Sequence, residues 1–348
     1  MPSVAESSAE PNTERIARCH RHGPLEPCRR RLTGWGDAVR VVRGGLWLLT
    51  LVVLAWAAVR VAGVLPPWPG VAVLALTPWS VLAAAVTCVL ALLARAVWGG
   101  LVAAVAMLAL VAMVFPRVWG SGEERAGHQL RVMTVNLRLG EADAADVVRQ
   151  VDAGRVDVLA LQEYTAAAQQ RLARAGLDRR LPHHVTDPEP YAAGSALYSR
   201  FPLSGERTPT GIGGFVQASA TVTLPGGDRI ALRSVHPCSP YTADHQSCWS
   251  RGIAAEPAAT PHGVRRVLLG DFNATLDHPP LRRLIGTGYR DAADVTGSGL
   301  RPTWPDDPFP AVTLDHVLAD RRLAVHAYQV RRVAGTDHRA VLATLIVT

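Results

Sequence analysis

"LLGDFNAT", residues 268–275, decides how this chain is read. Two leucines run into Gly270, Asp271 and Asn273 follow with one residue between them, and the chain then turns polar. A buried strand that delivers a carboxylate and a carboxamide to its C-terminal rim has this pattern, and open sheets place ligands at that rim. Taken alone, Asp-x-Asn also describes an ordinary turn, because both residues cap turns well. The other strand ends must decide.

Each of them carries chemistry. "VMTVNLRLG" ends an apolar run on Asn136, and "VDVLALQEYT" places Gln162 and Glu163 after another. A carboxylate at the end of a buried run needs a cation or hydrogen bonds. "LRSVHP" ends on His236, "VTLDHVLA" sets Asp315 and His316 inside an apolar strand, and "GTDHRAV" puts Asp337 and His338 before the last one. Together these residues have the chemistry of a hard-cation site beside a general acid/base. Carboxylate oxygens suit Mg²⁺ or Mn²⁺.

Apolar runs bounded by turn residues predict strands at 130–137, 156–161, 195–199, 216–224, 229–235, 266–269, 313–318, 324–333 and 340–347. Helices are expected at 142–153, 165–175 and 279–285. Many strands with few helices predict an α/β class fold, a two-sheet α/β sandwich over residues 129–348.

The N-terminal third has a different composition. From Gly44 to Phe115 the only charged residues are Arg60 and Arg95. Leu46–Val64, Val71–Ala94 and Val97–Phe115 are each about the roughly 20 residues that cross a bilayer as a helix. The expected organisation is a polar arm over 1–43, a three-helix transmembrane anchor over 44–116, a tether over 117–128, and then the sandwich. Eight arginines precede residue 46, one stands in the loop at Arg95, and none lies in 65–70. The positive-inside rule therefore predicts a cytoplasmic N-terminus and an external sandwich, with Arg60 snorkelling near the outer end of its span.

From Pro116 onward 26 arginines face 24 acids, so the net charge of +7 belongs mainly to the anchor. That balance argues against a strongly basic nucleic-acid footprint. Cys238 and Cys248 suit a disulfide-closed loop. Cys19, His20, His22 and Cys28 meet no standard zinc-finger spacing and are read with the polar arm.

The ordered series "TVNLR", "DVLALQE", "LYSRFPL", "SVHP", "LLGDFNA", "PTWP", "LDHVLA" and "TDHRAV" resembles the endonuclease/exonuclease/phosphatase superfamily. That superfamily includes DNase I-like nucleases, inositol-polyphosphate phosphatases and neutral sphingomyelinases. The resemblance implies metal-dependent phosphoester hydrolysis, with Glu163, Asn136 and Asp337 at the metal. It gives Asp271 the attacking water, Asn273 the phosphate, His338 the transition state or leaving group, and Asp315 the orientation of His338. His236 resembles the second histidine of the DNase I-like branch. With its apolar N-terminus the chain is also similar to actinobacterial membrane proteins of this superfamily, some linked with teicoplanin resistance. The partners this implies are the bilayer and a lipid-linked phosphate or pyrophosphate. An external nuclease and an inactive binding module are the alternatives. Loss of Glu163, Asp271 or His338 would favour the inactive module, and all three are present.

Overall fold

The computed structural model describes residues 26–307 and 310–348, with side chains from Asp37 onward. The cysteine and histidine group at 19–22 and the Cys28 side chain lie outside the described residues. Four helices come first: α1 (Glu26–Ala62), α2 (Gly70–Leu74), α3 (Thr77–Leu93) and α4 (Val97–Val114), closed by a 3-10 turn at Phe115–Val118. Then follow β1 (His128–Asn136), α5 (Ala144–Gly154), β2 (Val158–Gln162), α6 (Ala166–Arg174), α7 (Leu177–Arg180), β3 (His183–Asp187), β4 (Ser195–Ser199), β5 (Leu203–Arg207), β6 (Ser219–Thr223) and β7 (Arg229–Val235). The chain ends with α8 (Ala243–Ala254), β8 (Arg265–Asp271), α9 (Pro279–Gly286), β9 (Tyr289–Asp291), α10 (Ala292–Val295), β10 (Asp315–Asp320), β11 (Ala324–Arg331) and β12 (Ala340–Val347).

Among the described residues the strands form two six-stranded sheets, ordered β11-β12-β1-β2-β4-β3 and β5-β6-β7-β8-β10-β9. Side chains alternate between the faces of a strand, and the alternation builds the layers. Leu130 and Val132 of β1 meet Val267 and Leu269 of β8 between the sheets, whereas Met133 and Val135 face α5 and α6. Leu268 points the other way, to Trp249 of α8 and Leu281 of α9. The expected two-sheet α/β sandwich is what forms. The strands that the sequence pattern missed, β3, β5 and β9, all end a sheet order. An edge strand needs no continuous apolar face, and β3 and β5 have none. The disulfide Cys238–Cys248 forms, but it fastens β7's exit to helix α8 rather than closing a bare loop.

The helical third departs from the expectation of three uninterrupted spans. Among the described residues two helices, Asp37–Ala62 and Val97–Val118, are long and apolar enough to cross a membrane. The second predicted span is broken. Thr77 and Pro78 start a new helix, with the Thr77 hydroxyl donating to Leu74 O at 2.6 Å. This leaves α3 with 17 residues, about 26 Å at 1.5 Å per residue, and frees α2 to fold onto the sandwich. Val71 of α2 is fully buried with Trp249, Phe272 and Leu281. The end of α1, the start of α3 and the end of α4 thus all adjoin the sandwich.

Asp277 fastens that junction. Its carboxylate is fully buried and takes a two-point contact from Arg117 at 2.6 and 2.8 Å. Arg60 of α1 reaches the same carboxylate at 2.9 Å, so it is paired and 2% exposed rather than snorkelling to a surface. Next to it His278 accepts from Thr275 N at Nδ1 and so donates from Nε2 to Val71 O at 2.9 Å. Residues 117–128, read from the sequence as a tether, also pack on the sandwich: Glu123 accepts two bonds from Arg290 at 2.7 and 2.9 Å.

Removing one partner from a buried ion pair leaves an uncompensated charge. Asp277→Ala should therefore lower the unfolding free energy of the full chain in detergent by about 3–5 kcal/mol. Chemical denaturation measures this, and an unchanged midpoint would show that the junction between helices and sandwich is held by something else.

Candidate active site

Parallel pairing puts several strand C-termini at one rim. β1 runs parallel to β2, and β7 runs parallel to β8. Asn136, Glu163, His236 and Asp271 all stand at those ends. β10 is antiparallel to β8 with Asp315 opposite Asp271, so Asp315 joins the rim from the start of its strand. His338 precedes β12, and its loop is tied to β1 by the Thr336 hydroxyl, which donates to Asn136 O at 2.9 Å.

Two of these positions hold the backbone in the left-handed region. Glu163 has φ 54° and Asn273 φ 49°. Asparagine tolerates that region, but glutamate does so at a cost of about 1–3 kcal/mol, which surrounding contacts must hold. Leu139 N donates to Glu163 Oε2 at 2.6 Å and provides one of them. Gly270 is required for a different reason. A Cβ there would run into the Val235 carbonyl of β7.

The polar groups converge tightly. Asn136 Nδ2 donates to Glu163 Oε1 at 3.0 Å and to Asp271 Oδ2 at 3.1 Å, bridging the two carboxylates. His236 Nε2 lies 3.8 Å from Glu163 Oε1 and 3.7 Å from Asp271 Oδ2. His338 Nε2 is 3.7 Å from the same Asp271 oxygen, and its Nδ1 donates to Asp315 Oδ2 at 2.9 Å. Asp271 Oδ1 accepts from Asn273 N at 2.8 Å, and Asn273 Nδ2 donates to Pro237 O at 3.2 Å. Burial works against the imidazolium of His338, but Asp315 and Asp271 outweigh it and push His338 up to about 10. His338 therefore enters the cleft as a cation.

Seven of the eight residues singled out from the sequence are joined by this network. Asp337 is set apart: it accepts from Trp304 Nε1 at 3.0 Å at the rim and lies 3.9 Å from Arg138. His316, adjacent to Asp315, points away and bridges Asp291 at 2.7 Å and Ala274 O at 2.8 Å, a structural role. The sequence reading missed the cleft wall contributed by the helical third. A cleft of about 560 Å³ is lined by Glu163, His236, Asp271 and His338 together with Ala72 and Ala75. Nothing in an apolar run marks which residues will leave the bundle for a catalytic wall.

Asp271, Asp315 and His338 offer donor atoms within 4.8 Å of one another, a group that could hold a metal ion. His338 already uses Nδ1 on Asp315 and carries a proton, so Glu163 and Asp271, with oxygens 3.0 and 3.1 Å from one amide nitrogen, are the better ligands. Carboxylate oxygens without thiolate fit a hard divalent cation.

Residues 133–338 match the model of the Endonuclease/Exonuclease/phosphatase family. The chain belongs to that family. Among solved structures it is similar to TDP2 from C. elegans, with TM-score 0.50, 19% identity, and coverage of 65% of this chain and 77% of that one. It is also similar to a humanized D. rerio TDP2 carrying 14 mutations, with TM-score 0.50 and 15% identity over 63% and 99% of the two chains. An endonuclease/exonuclease/phosphatase from Beutenbergia cavernae DSM 12333 aligns with TM-score 0.49 and 19% identity over 63% and 72%. No curated protein matches the chain. The family's hydrolases support hydrolase activity here, and the sandwich is the shared fold.

A ligand that binds the folded state raises its melting temperature. Millimolar Mn²⁺ should stabilise the protein in a thermal-shift assay, and Glu163→Gln or Asp271→Asn should abolish the shift while Asp337→Asn keeps it. Loss of the shift with Asp337→Asn alone would move the metal to Asp337.

Proposed function

We propose that this family member is a membrane-anchored, divalent-metal-dependent phosphoesterase whose substrate is a phosphate or pyrophosphate ester of a membrane lipid. One observation carries the reading. Ala72 and Ala75, from the connection between two apolar helices, form a wall of the cleft that contains Glu163, Asp271 and His338. A wall built by the chain between the apolar helices holds the cleft beside the bilayer, where a lipid head group meets the site at high effective concentration. The near balance of charge after Pro116 offers little attraction to nucleic acid.

The anchor reading takes α1, α3 and α4 as three spans, the 17-residue α3 being accommodated by modest bilayer thinning. The arginine-rich N-terminus is then cytoplasmic and the sandwich external. The Cys238–Cys248 disulfide supports an oxidising compartment for it. The link to glycopeptide resistance rests on the sequence resemblance alone.

Mg²⁺ or Mn²⁺ held by Glu163 and Asp271 would offset the charge that builds on the phosphate oxygens. Asp271 takes the proton of the attacking water, with Asn136 and the Asn273 backbone fixing both of its oxygens. The His338 imidazolium, held by Asp315, donates toward the phosphate or the leaving oxygen. His236 Nε2 and the remaining Asn273 amide hydrogen are placed to bind phosphate oxygens.

Full-length protein with Mg²⁺ should hydrolyse polyprenyl pyrophosphate or phospholipid phosphodiesters in nanodiscs and leave plasmid DNA largely intact. Glu163→Gln should be partly rescued by excess Mn²⁺. His338→Ala should keep the metal requirement and lose roughly 10²–10⁴-fold in kcat. Strong plasmid nicking with no lipid turnover would replace this reading with an external nuclease, and no turnover of any phosphoester would leave the inactive binding module.

A further inference from the structure

The catalytic cleft continues into the helices. It shares Ala75 and Val312 with an adjoining cavity of about 270 Å³, which Pro78, Trp79, Arg117 and Leu276 also line. That cavity shares Trp79 with an open groove of about 520 Å³ between α1 and α3. Leu49, Val52, Val53, Leu82, Ala83 and Val86 line the groove, and among the described residues no charged side chain does. Its one hydroxyl, on Thr87, is satisfied by Ala83 O at 2.8 Å.

Polarity therefore falls in one direction across three adjoining hollows, from carboxylates and histidines, past the Arg117–Asp277 pair, to aliphatic side chains. The groove's length is informative. Leu76 to Thr87 spans about 17 Å at 1.5 Å per residue, about half of a roughly 30 Å hydrocarbon core. One leaflet has that depth. Arg117 and Asp277, ion-paired and both lining the intermediate cavity, mark the polar end of this path.

From this continuity we infer that the α1–α3 groove binds the hydrocarbon chain of the substrate lipid while its phosphate occupies the cleft, so that chain length is a specificity determinant of the enzyme. The inference rests on the phosphoesterase reading above and deepens it. Trp79, shared by the cavity and the groove, stands where the chain passes from bilayer to site. Each buried methylene contributes about 0.8 kcal/mol, so a long chain gains affinity that a short one cannot.

Two phosphodiesters with the same reacting bond isolate the effect: methyl and hexadecyl para-nitrophenyl phosphate, assayed with full-length protein in mixed micelles. Ala83 is exposed in the groove and remote from the catalytic residues, so Ala83→Trp fills the path without touching the chemistry. Wild type should prefer the hexadecyl diester in kcat/KM. Ala83→Trp should cut that preference by about tenfold and leave the methyl diester unchanged. Val86→Trp, a second groove position, should act alike. Turnover of both diesters at a ratio that neither variant alters would overturn the groove and leave the phosphoesterase standing. Failure to cleave either diester would overturn both.

Discussion

The placement of the helical third against the candidate site depends on one buried carboxylate. Asp277 lies six positions after Asp271 in the same rim segment, and it draws Arg60 from the first apolar helix and Arg117 from the end of the third long one. Burying three charges costs several kcal/mol per ion, and the mutual attraction must repay it. Such clusters are poor sources of net stability, but a displaced partner here would leave an unpaired buried charge, which favours one arrangement of Arg60 and Arg117. The cost is consistent with a demand for fixed geometry between bundle and sandwich.

That geometry reaches the chemistry through short distances. The loop carrying Asp271 and Asn273 continues through Thr275 and Asp277 to His278, whose Nε2 holds the Val71 carbonyl of α2. Helix α2 in turn brings Ala72 to the cleft. The helical third and the catalytic rim are therefore one packed unit, not a passive anchor with an enzyme on a string. His338 adds the electrostatic counterpart: its raised pKa follows from the carboxylates of Asp315 and Asp271 overcoming burial, which keeps a positive charge beside the position a phosphate would take.

The rim was legible because polar residues interrupting buried strands are expensive, and "GDFN", "LQE" and the two Asp-His pairs each declared that expense. Most central strands were legible because strands covered on both faces leave continuous apolar runs. Edge strands β3 and β5 leave no such trace, since water covers one side of them. The break in the second apolar run was invisible for another reason. Val71 is as suited to a sandwich core as to a bilayer, and only the Thr77-Pro78 pair that opens α3 distinguishes the two. Arg60 misled because a lone cation in a span has two remedies, the membrane surface or a partner 217 residues away in sequence, and pattern alone shows only the first.

A site that takes its substrate from a membrane lipid must open toward the bilayer. A fluorescent unnatural amino acid at Tyr241, exposed on the cleft wall, and another at Gly226, in the β6–β7 turn at the opposite ends of the strands, give two reporters in nanodiscs with head-group spin-labelled lipid. The account predicts strong quenching at 241 and weak quenching at 226. Equal quenching, or stronger quenching at 226, would contradict it.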